Sequence, residues 1–273
     1  MTSFADITTM GVGGHIAHFV EPTTRVGLIE AVEDADSKGL PLVVIGGGSN
    51  MLVSDDPFNG VVVRDARCLI TVPDEAAPVE GGDRTVHVNA EAGANWDDFV
   101  AFTVELGLEG VEGLSGIPGT VGASVVQNIG AYGQEVATSV ESVEVWDRET
   151  KTTRDLTPAD LQFGYRYSAL KASMYAGPGK PADRFFPTPR YVCYPLPLPL
   201  PIRLKARSAM GNWPRRSASR WAIAWPPPIF VRPYLRFVPP RACSKIPPAT
   251  RLPIWPPPSV RPIFWLIWIV SPP

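Results

Sequence analysis

The chain has 273 residues, enough for one large domain or two to three smaller ones, and its formal net charge of −2 argues against a nucleic-acid partner. All 27 Asp and Glu residues lie before residue 193, whereas 12 of the 25 Lys and Arg residues lie in 193–273. The longest apolar run, Ile263–Val270, is too short to cross a bilayer, which argues against a membrane span.

The N-terminal part is predicted to alternate short strands with one helix. Residues 16–20 and 60–65 indicate strands, and 42–45 is the short apolar run of a buried strand. A helix is predicted between Thr24 and Lys38, where apolar residues repeat at helical spacing before a glycine. This order of elements predicts a mixed α and β structure.

The middle of the chain continues that mixture. An acidic stretch at 71–83 with prolines and glycines predicts an exposed loop, and the sequence RTVHVNAEAG after it predicts a strand. Asn95 has the position of an N-cap before an amphipathic helix with two aspartates in its first turn. The sequence VESVEVWDRETKTTRDL predicts a two-stranded hairpin, and Thr157 followed by Pro158 predicts the start of a short helix.

Residues 193–273 differ from everything before them. They hold 20 of the 31 prolines, six of the eight tryptophans and no acidic residue. At this proline density no helix or strand is predicted after Val192. A GC-rich gene read in a shifted frame would give this composition. We therefore hypothesise that residues 193–273 result from a frameshift. The other interpretation is a proline-rich basic tail that binds an anionic surface or a polyproline-recognising domain.

Three glycines follow the predicted strand at 42–45, in the sequence IGGGSN. Glycine lets backbone N–H groups approach a phosphate closely, because no Cβ atom stands in between. The dinucleotide fingerprint GxGxxG would open a helix, whereas these glycines lead into the extended sequence NMLV. The pattern leaves two alternatives, a tight turn between strands or an anion-binding loop of another architecture.

The segment 113–133, GLSGIPGTVGASVVQNIGAYG, holds six glycines and almost no bulky side chains. A flexible linker would be polar, whereas this segment is apolar enough to be buried. A buried backbone of this kind favours packing against a large flat ligand, and the amides of Gln127 and Asn128 add hydrogen-bonding groups. The alternative is a glycine-rich packing segment that holds no ligand.

A third motif, FGYRYS, places Arg166 between Tyr165 and Tyr167. An arginine between tyrosines can hold a carboxylate or a phosphate. Taken alone, the motif fits a surface cation–π contact better, because that is the commoner arrangement of arginine beside tyrosine.

The cysteines, the histidines and the N-terminus bear on compartment and metal binding. The three cysteines are widely spaced and predict no disulfide framework, and the three histidines share no metal-ligand spacing with them. The sequence MTSFADITTMG has no basic segment followed by an apolar one, so we expect no signal peptide. We therefore expect a cytoplasmic protein without a metal.

Taken in order, IGGGSN, GIPGTVGASVVQNIGAYG and FGYRYS resemble the flavoprotein family of UDP-N-acetylenolpyruvoylglucosamine reductases, over about residues 8–192. The resemblance implies an α+β FAD-binding fold of the vanillyl-alcohol-oxidase type. Its two α+β subdomains would span 1–66 and 67–175, and a substrate domain would begin at 176–192. Residues 193–273 do not match the family.

The resemblance also implies a reaction and its residues. NADPH would reduce FAD, and the reduced flavin would convert UDP-N-acetylglucosamine enolpyruvate to UDP-N-acetylmuramate in peptidoglycan precursor synthesis. Arg166 matches the arginine that stabilises negative charge on the substrate, and Tyr165 is the implied substrate contact. The residues implied to bind FAD are Gly46, Gly47, Gly48, Ser49, Asn50, Ile117, Gly119, Gly122, Ala123, Gln127, Asn128, Gly130, Ala131 and Tyr132.

Two parts of the family pattern are missing. The family's proton-donor serine lies in a Gly-Ser-x-Phe-x-Asn-Pro motif, and a glutamate near the C-terminus completes its site; residues 193–273 contain neither. We therefore expect catalysis by this chain to be absent or very weak. The alternatives are a related FAD-linked oxidase of the same fold and a non-catalytic flavin-binding remnant.

Overall fold

The computed structural model describes residues 1–73, 85–174 and 190–193, together with the backbone of 202–208 and 268–270. Helices and strands are interspersed along these residues, so the predicted α+β class is confirmed. The α-helices in this part of the chain are α1 (Phe4–Ile7), α2 (Arg25–Ser37), α3 (Trp96–Glu105), α4 (Val121–Gln127), α5 (Pro158–Leu161) and α6 (Ala169–Ser173). The strands are β1 (Ile16–Val20), β2 (Leu42–Ile45), β3 (Met51–Val53), β4 (Phe58–Arg64), β5 (Ile70–Thr71), β6 (Thr85–Ala90), β7 (Leu108–Glu109), β8 (Gly130–Ala131), β9 (Gln134–Glu135), β10 (Val140–Asp147), β11 (Thr152–Leu156), β12 (Tyr191–Cys193), β13 (Ile202–Ser208) and β14 (Trp268–Val270).

A three-stranded parallel sheet with the order β1-β4-β2 forms the first part of the fold. Helix α2 covers one face through Leu28 and Val32, and Phe4 of α1 covers the other. Both faces are buried, which is why β2 and residues 61–63 of β4 are continuously apolar. The Thr24 hydroxyl accepts a hydrogen bond from the Gly27 N–H at 3.1 Å, which confirms the predicted start of the helix.

A second sheet has the strand order β11-β10-β13-β6-β5 and is antiparallel. Helices α3 to α6 contribute to the largest core cluster, with Trp96, Phe99 and Leu170 fully or almost fully buried in it. The Asn95 side chain accepts hydrogen bonds from the N–H groups of Asp97 and Asp98, which confirms the predicted N-cap. The hairpin β10-β11 and the helix that begins at Pro158 are also as predicted.

Strand β13 is a correction to the sequence analysis. Its backbone lies in the middle of the second sheet, between β10 and β6, although no strand is predicted after Val192. The sequence IRLKARS alternates apolar and polar residues, the period of a strand, and the surrounding prolines obscured that signal. A second short strand, β14, pairs in parallel with β3.

A further correction concerns the cysteines. Cys68 is disulfide-bonded, although the cysteine spacing predicts no disulfide.

Other expectations fall partly or wholly outside the described residues. Most of the predicted acidic loop at 71–83 lies there, as does most of the predicted start of the substrate domain at 176–192. The boundary between the two predicted subdomains, at residue 66, stays a prediction. Within the part of the chain that is described, none of the helices combines the length and the apolarity needed to traverse a bilayer.

The two sheets are joined by ion pairs and by apolar contacts on the outer face of α2. The Arg148 guanidinium bonds to the Asp36 carboxylate in α2, with an Nε–Oδ2 distance of 3.1 Å. Arg25 Nη2 lies 3.5 Å from Oε1 of Glu144, a buried carboxylate in β10. Val192 packs into the α2 core cluster. These contacts fix the position of α2 and the first sheet relative to β10.

Asp147, at the end of β10, is expected to make the stability of the protein depend on pH. Its buried carboxylate accepts two hydrogen bonds from Arg190, at 3.0 and 2.8 Å, and these lower its pKa to about 2. A lowered pKa in the folded state stabilises the protein at pH values above the ordinary value of 3.8. That contribution, about 2 kcal/mol, should be lost as the pH falls from about 4 through about 2.

Urea unfolding of the wild-type chain and the Asp147→Asn variant between pH 2 and pH 6 measures this effect. The difference in unfolding free energy between the two proteins should shrink as the pH falls. Asp155→Asn removes an exposed carboxylate from the neighbouring strand and serves as the control. A constant difference across the pH range would contradict the assignment to Asp147.

Candidate functional site

A cavity of about 300 Å³ lies between the carboxyl end of the first sheet and helix α4. This volume is at the lower end of the usual range for small-molecule sites. Residues from the segments 43–51 and 118–129 form two of its sides. These segments come from the predicted first and second subdomains. Met174 also lines the cavity, as does Tyr191 from the predicted start of the substrate domain.

The turn Gly46–Asn50 lines the cavity directly after β2, and its glycines are needed for steric reasons. A Cβ atom added to Gly47 would lie 2.9 Å from the Cα atom of Gly119. Gly48 has a φ of +66°, and a Cβ atom there would lie 2.1 Å from the carbonyl oxygen of Ile7. The turn is thus pressed between the N-terminal segment and the segment that precedes α4. These contacts explain the glycines by packing, and the place of the turn on the cavity leaves the alternative of an anion-binding loop open.

The segment 113–133 is folded and largely buried, which excludes the linker alternative. Its centre is helix α4, which the sequence analysis does not predict, and Val121 and Val125 of that helix are fully buried. The helix begins at Thr120, whose hydroxyl accepts a hydrogen bond from the Ala123 N–H, and ends where Asn128 adopts a left-handed conformation with φ of 46°. Residues 130–135 then form the hairpin β8-β9.

Unpaired amide groups lie in the residues that line the cavity. Gln127 is 6% exposed, and both polar atoms of its side chain are buried without a hydrogen-bond partner among the described residues. The Asn50 Oδ1 atom is likewise buried and unpaired within that part of the chain. Buried polar groups are nearly always hydrogen-bonded in proteins, so these two side chains have hydrogen-bonding capacity that a polar ligand can use.

The structure separates the residues implied to bind the cofactor into two groups. Those that line the cavity are Gly46, Gly47, Gly48, Ser49, Asn50, Gly122, Ala123 and Gln127. The others do not line it: Ile117 and Asn128 are buried, Gly119 lies behind Gly47, and Tyr132 is 94% exposed between β8 and β9. Gly130 and Ala131 form β8.

Arg166 lies beside the cavity, not among the residues that line it. It belongs to a tight turn closed by two hydrogen bonds of 3.0 Å between the backbones of Gly164 and Tyr167. Its guanidinium donates to the carbonyl oxygens of Asn128, at 3.2 Å, and of Gly130. These two residues flank Ile129, which lines the cavity. The guanidinium is therefore held at the C-terminal end of α4.

Tyr165 takes part in the same turn. The guanidinium of Arg166 lies 5.1 Å from the centre of the Tyr165 ring, so the cation–π alternative is present together with the carbonyl contacts. The Tyr165 side chain is largely exposed, which leaves it open to a second molecule.

The sequence analysis did not single out Lys171, although this side chain supports the turn. Its Nζ donates to the carbonyl oxygen of Arg166 at 3.0 Å. Burial lowers the pKa of Lys171, and the nearby Arg166 charge lowers it further. The lysine that follows the FGYR motif is visible in the sequence, but its contact with Arg166 depends on the tight turn.

Asp65 was also missed, and it lines the cavity directly after β4. Its carboxylate is paired with Arg67, whose side chain is almost completely buried. A polar residue that follows a buried parallel strand is a usual sign of a ligand site, and this signal was available in the sequence.

Three comparisons relate the chain to known proteins. A family model described as FAD binding domain matches residues 16–155. The UDP-N-acetylenolpyruvoylglucosamine reductase of Thermobifida fusca (strain YX) is 45% identical over 167 residues, which are 61% of this chain and 45% of that protein. The enzyme of the same name from Nocardia farcinica (strain IFM 10152) is 47% identical over 169 residues, 62% of this chain and 41% of that protein.

The crystal structure of UDP-N-acetylenolpyruvylglucosamine reductase from Thermus caldophilus has 30% identity and a TM-score of 0.49, over 76% of this chain and 60% of that chain. The chain spans less than half the length of the two curated relatives. The sequence matches confirm the resemblance predicted from the motifs, and the family model confirms the predicted FAD-binding fold.

Proposed function

We propose that this chain, which belongs to the FAD binding domain family, binds FAD in the cavity beside α4 and is the cofactor-binding part of a UDP-N-acetylenolpyruvoylglucosamine reductase. The observation that carries the proposal is the Gln127 amide, which has no partner among the described residues and lies in the cavity that a turn of three glycines also lines. A polar ligand with a phosphate-containing portion satisfies both features. The similarity of about three-fifths of this chain to reductases of that name supports this choice of ligand.

The residues present fit such a cofactor. Gly46 to Asn50 would hold its pyrophosphate, because glycine backbone lets N–H groups come close to phosphate oxygens. Gln127 can both donate and accept hydrogen bonds, so it would bind a polar edge of the cofactor. We assign Gly122 and Ala123 to its apolar contacts, because both line the cavity without bulky side chains.

In the proposed reaction the enolpyruvyl group of a UDP-sugar takes up a hydride and a proton, with NADPH as the reductant. FAD supplies the hydride-transfer chemistry when it is bound. Arg166 would stabilise the negative charge that develops on the substrate carboxylate, and the loss of one such donor typically costs about 3–4 kcal/mol of transition-state stabilisation. Asn128 and Gly130 keep the guanidinium in place. The exposed Tyr165 would contact the substrate beside it. The reaction belongs to cytoplasmic peptidoglycan precursor synthesis.

The proton for this reaction has no donor that we can assign in this chain. Residues 193–273 contain no acidic residue, and the serines there stand in no Gly-Ser-x-Phe-x-Asn-Pro motif. We therefore propose that this chain binds FAD, whereas the transfer to the enolpyruvyl substrate is absent or very slow. This composition favours the flavin-binding remnant as the second candidate function.

Anaerobic mixing of the purified chain with FAD, then NADPH, then UDP-N-acetylglucosamine enolpyruvate tests each step separately. We expect bound FAD to be bleached by NADPH and to regain its absorbance only slowly, or not at all, after the substrate is added. A chain that takes up no FAD would contradict the proposed function. Reoxidation at the rate of a full-length reductase would contradict the assignment of a missing proton donor. Turnover of a lactone or alcohol with oxygen, and none of the sugar nucleotide, would identify an oxidase.

A further inference from the structure

Asp65 lies at the carboxyl end of the strands of the first sheet. It follows β4, the central strand of the parallel sheet, just as the turn Gly46–Asn50 follows β2. The carboxyl ends of parallel strands meet at one edge of a sheet, and ligands bind there. Asp65 and the glycine turn therefore line the same cavity, and Asp65 is an acidic residue among those that line it.

Arg67 holds this carboxylate in one orientation. Its Nε donates to Oδ1 of Asp65 at 2.8 Å and its Nη2 to Oδ2 at 2.6 Å, while its backbone N–H donates to Oδ1 at 3.0 Å. The side chains of Arg67 and Asp65 are 3% and 10% exposed. Burying an ion pair costs desolvation energy and seldom stabilises a fold by itself, so its presence at a cavity suggests a binding role.

The pair still has hydrogen-bonding capacity. A carboxylate offers about four acceptor sites, and among the described residues Asp65 uses three of them, two on Oδ1 and one on Oδ2. Arg67 Nη1 is buried and has no hydrogen-bond partner within the same described residues. The remaining acceptor site of the Asp65 carboxylate can accept a hydrogen bond from a neutral hydroxyl.

The position of Asp65 relative to the two ends of α4 indicates which part of FAD it would contact. A Cβ atom added to Gly93 would lie 2.3 Å from the carbonyl oxygen of Asp65, so the two backbones touch. Next to Gly93, Ala92 accepts a hydrogen bond of 2.9 Å from Gly122 at the start of α4. Arg166, which the proposed reaction places at the substrate carboxylate, is bonded at the opposite end of α4. Asp65 therefore lies near the start of α4, on the side away from the residue proposed to meet the substrate.

We propose that Asp65, oriented by Arg67, binds the hydroxyl groups of the adenosine ribose of the cofactor, an inference that rests on the proposed binding of FAD. Asp65 makes the contact, and Arg67 acts as a positioning residue. Acidic residues after a strand bind ribose hydroxyls in other dinucleotide-binding folds, for the same physical reason. A carboxylate accepts from a hydroxyl more strongly than a neutral group does.

The test compares FAD with an FAD analogue whose adenosine lacks the 2′ and 3′ hydroxyl groups, using flavin fluorescence to measure both dissociation constants. The wild-type chain should bind the analogue about tenfold more weakly than FAD. The Asp65→Asn variant should bind FAD more weakly, and its ratio between the two ligands should approach one. Arg67→Met should lose most of this ratio, and Arg67→Lys should retain more of it.

Asp147→Asn is the matched control, because Asp147 is also a buried carboxylate held by an arginine but does not line the cavity. It should keep the wild-type ratio. Equal affinity of the wild-type chain for the two ligands would overturn the inference without any variant having to fold. An unchanged ratio in Asp65→Asn, with both affinities reduced alike, would show a structural role only and overturn it as well. If the wild-type chain binds neither ligand, the proposed function itself fails.

Discussion

Replacing Gln127 with leucine is expected to stabilise the flavin-free protein and to lower its affinity for FAD. Both polar atoms of the Gln127 side chain are buried without a partner among the described residues, and an unpaired buried polar group costs about 1–3 kcal/mol. Leucine has a similar volume and no polar atom, so the free energy of unfolding should rise by part of that amount. The same change removes the hydrogen bonds proposed to the cofactor, and FAD should bind about tenfold more weakly or worse.

Urea unfolding without FAD and fluorescence titration with FAD measure the two effects. Asn89→Leu is the matched control, because Asn89 is a buried amide in β6 that is also unpaired in the described part of the chain but does not line the cavity. It should leave FAD affinity unchanged, whereas the larger leucine side chain overpacks that buried site and affects stability only. If Gln127→Leu leaves FAD affinity at its wild-type value, as is expected of Asn89→Leu, Gln127 is a packing residue only.

Gly47→Ala is expected to weaken FAD binding more than tenfold, with a smaller loss of stability. The new Cβ atom would lie 2.9 Å from the Cα atom of Gly119, and neither backbone can yield without moving the glycine turn or the start of α4. Overpacking of this kind costs about 1–3 kcal/mol. Since the turn is proposed to hold the pyrophosphate through its N–H groups, a shift of the turn disturbs those contacts directly.

Gly164→Ala provides the comparison for this variant. A Cβ atom there would be 3.7 Å from its nearest neighbour, an ordinary contact, so stability and FAD affinity should both stay at their wild-type values. Thermal unfolding and FAD titration of the two variants give the result. FAD affinity of Gly47→Ala equal to that of Gly164→Ala would show that the turn does not touch the cofactor.

Local signals in the sequence predicted much of the fold. The N-cap at Asn95, the proline at the start of α5 and the apolar run of β2 each depend on residues within one turn or one strand. Interactions of this range are set by backbone geometry and neighbouring side chains, so they are visible without knowledge of the rest of the chain. The motifs that indicate a flavin site are short for the same reason.

Elements that depend on distant partners were predicted less well. Helix α4 is short and contains a glycine and β-branched residues, which are weak helix formers, and the burial of Val121 and Val125 in the core sustains it. Strand β13 has the alternation of a strand, yet only its pairing with β10 and β6 makes it one. In both cases tertiary contacts override a weak local preference.

The sequence by itself determined the α+β class, the glycine turn after β2 and the presence of Arg166 in a tyrosine-flanked motif. Only the tertiary structure decided that Asp65 lines the same cavity as this turn and that Arg166 is anchored to the carbonyls of Asn128 and Gly130. The reason is that a binding site joins residues far apart in the chain. Their meeting depends on sheet order and core packing, which short-range patterns do not encode.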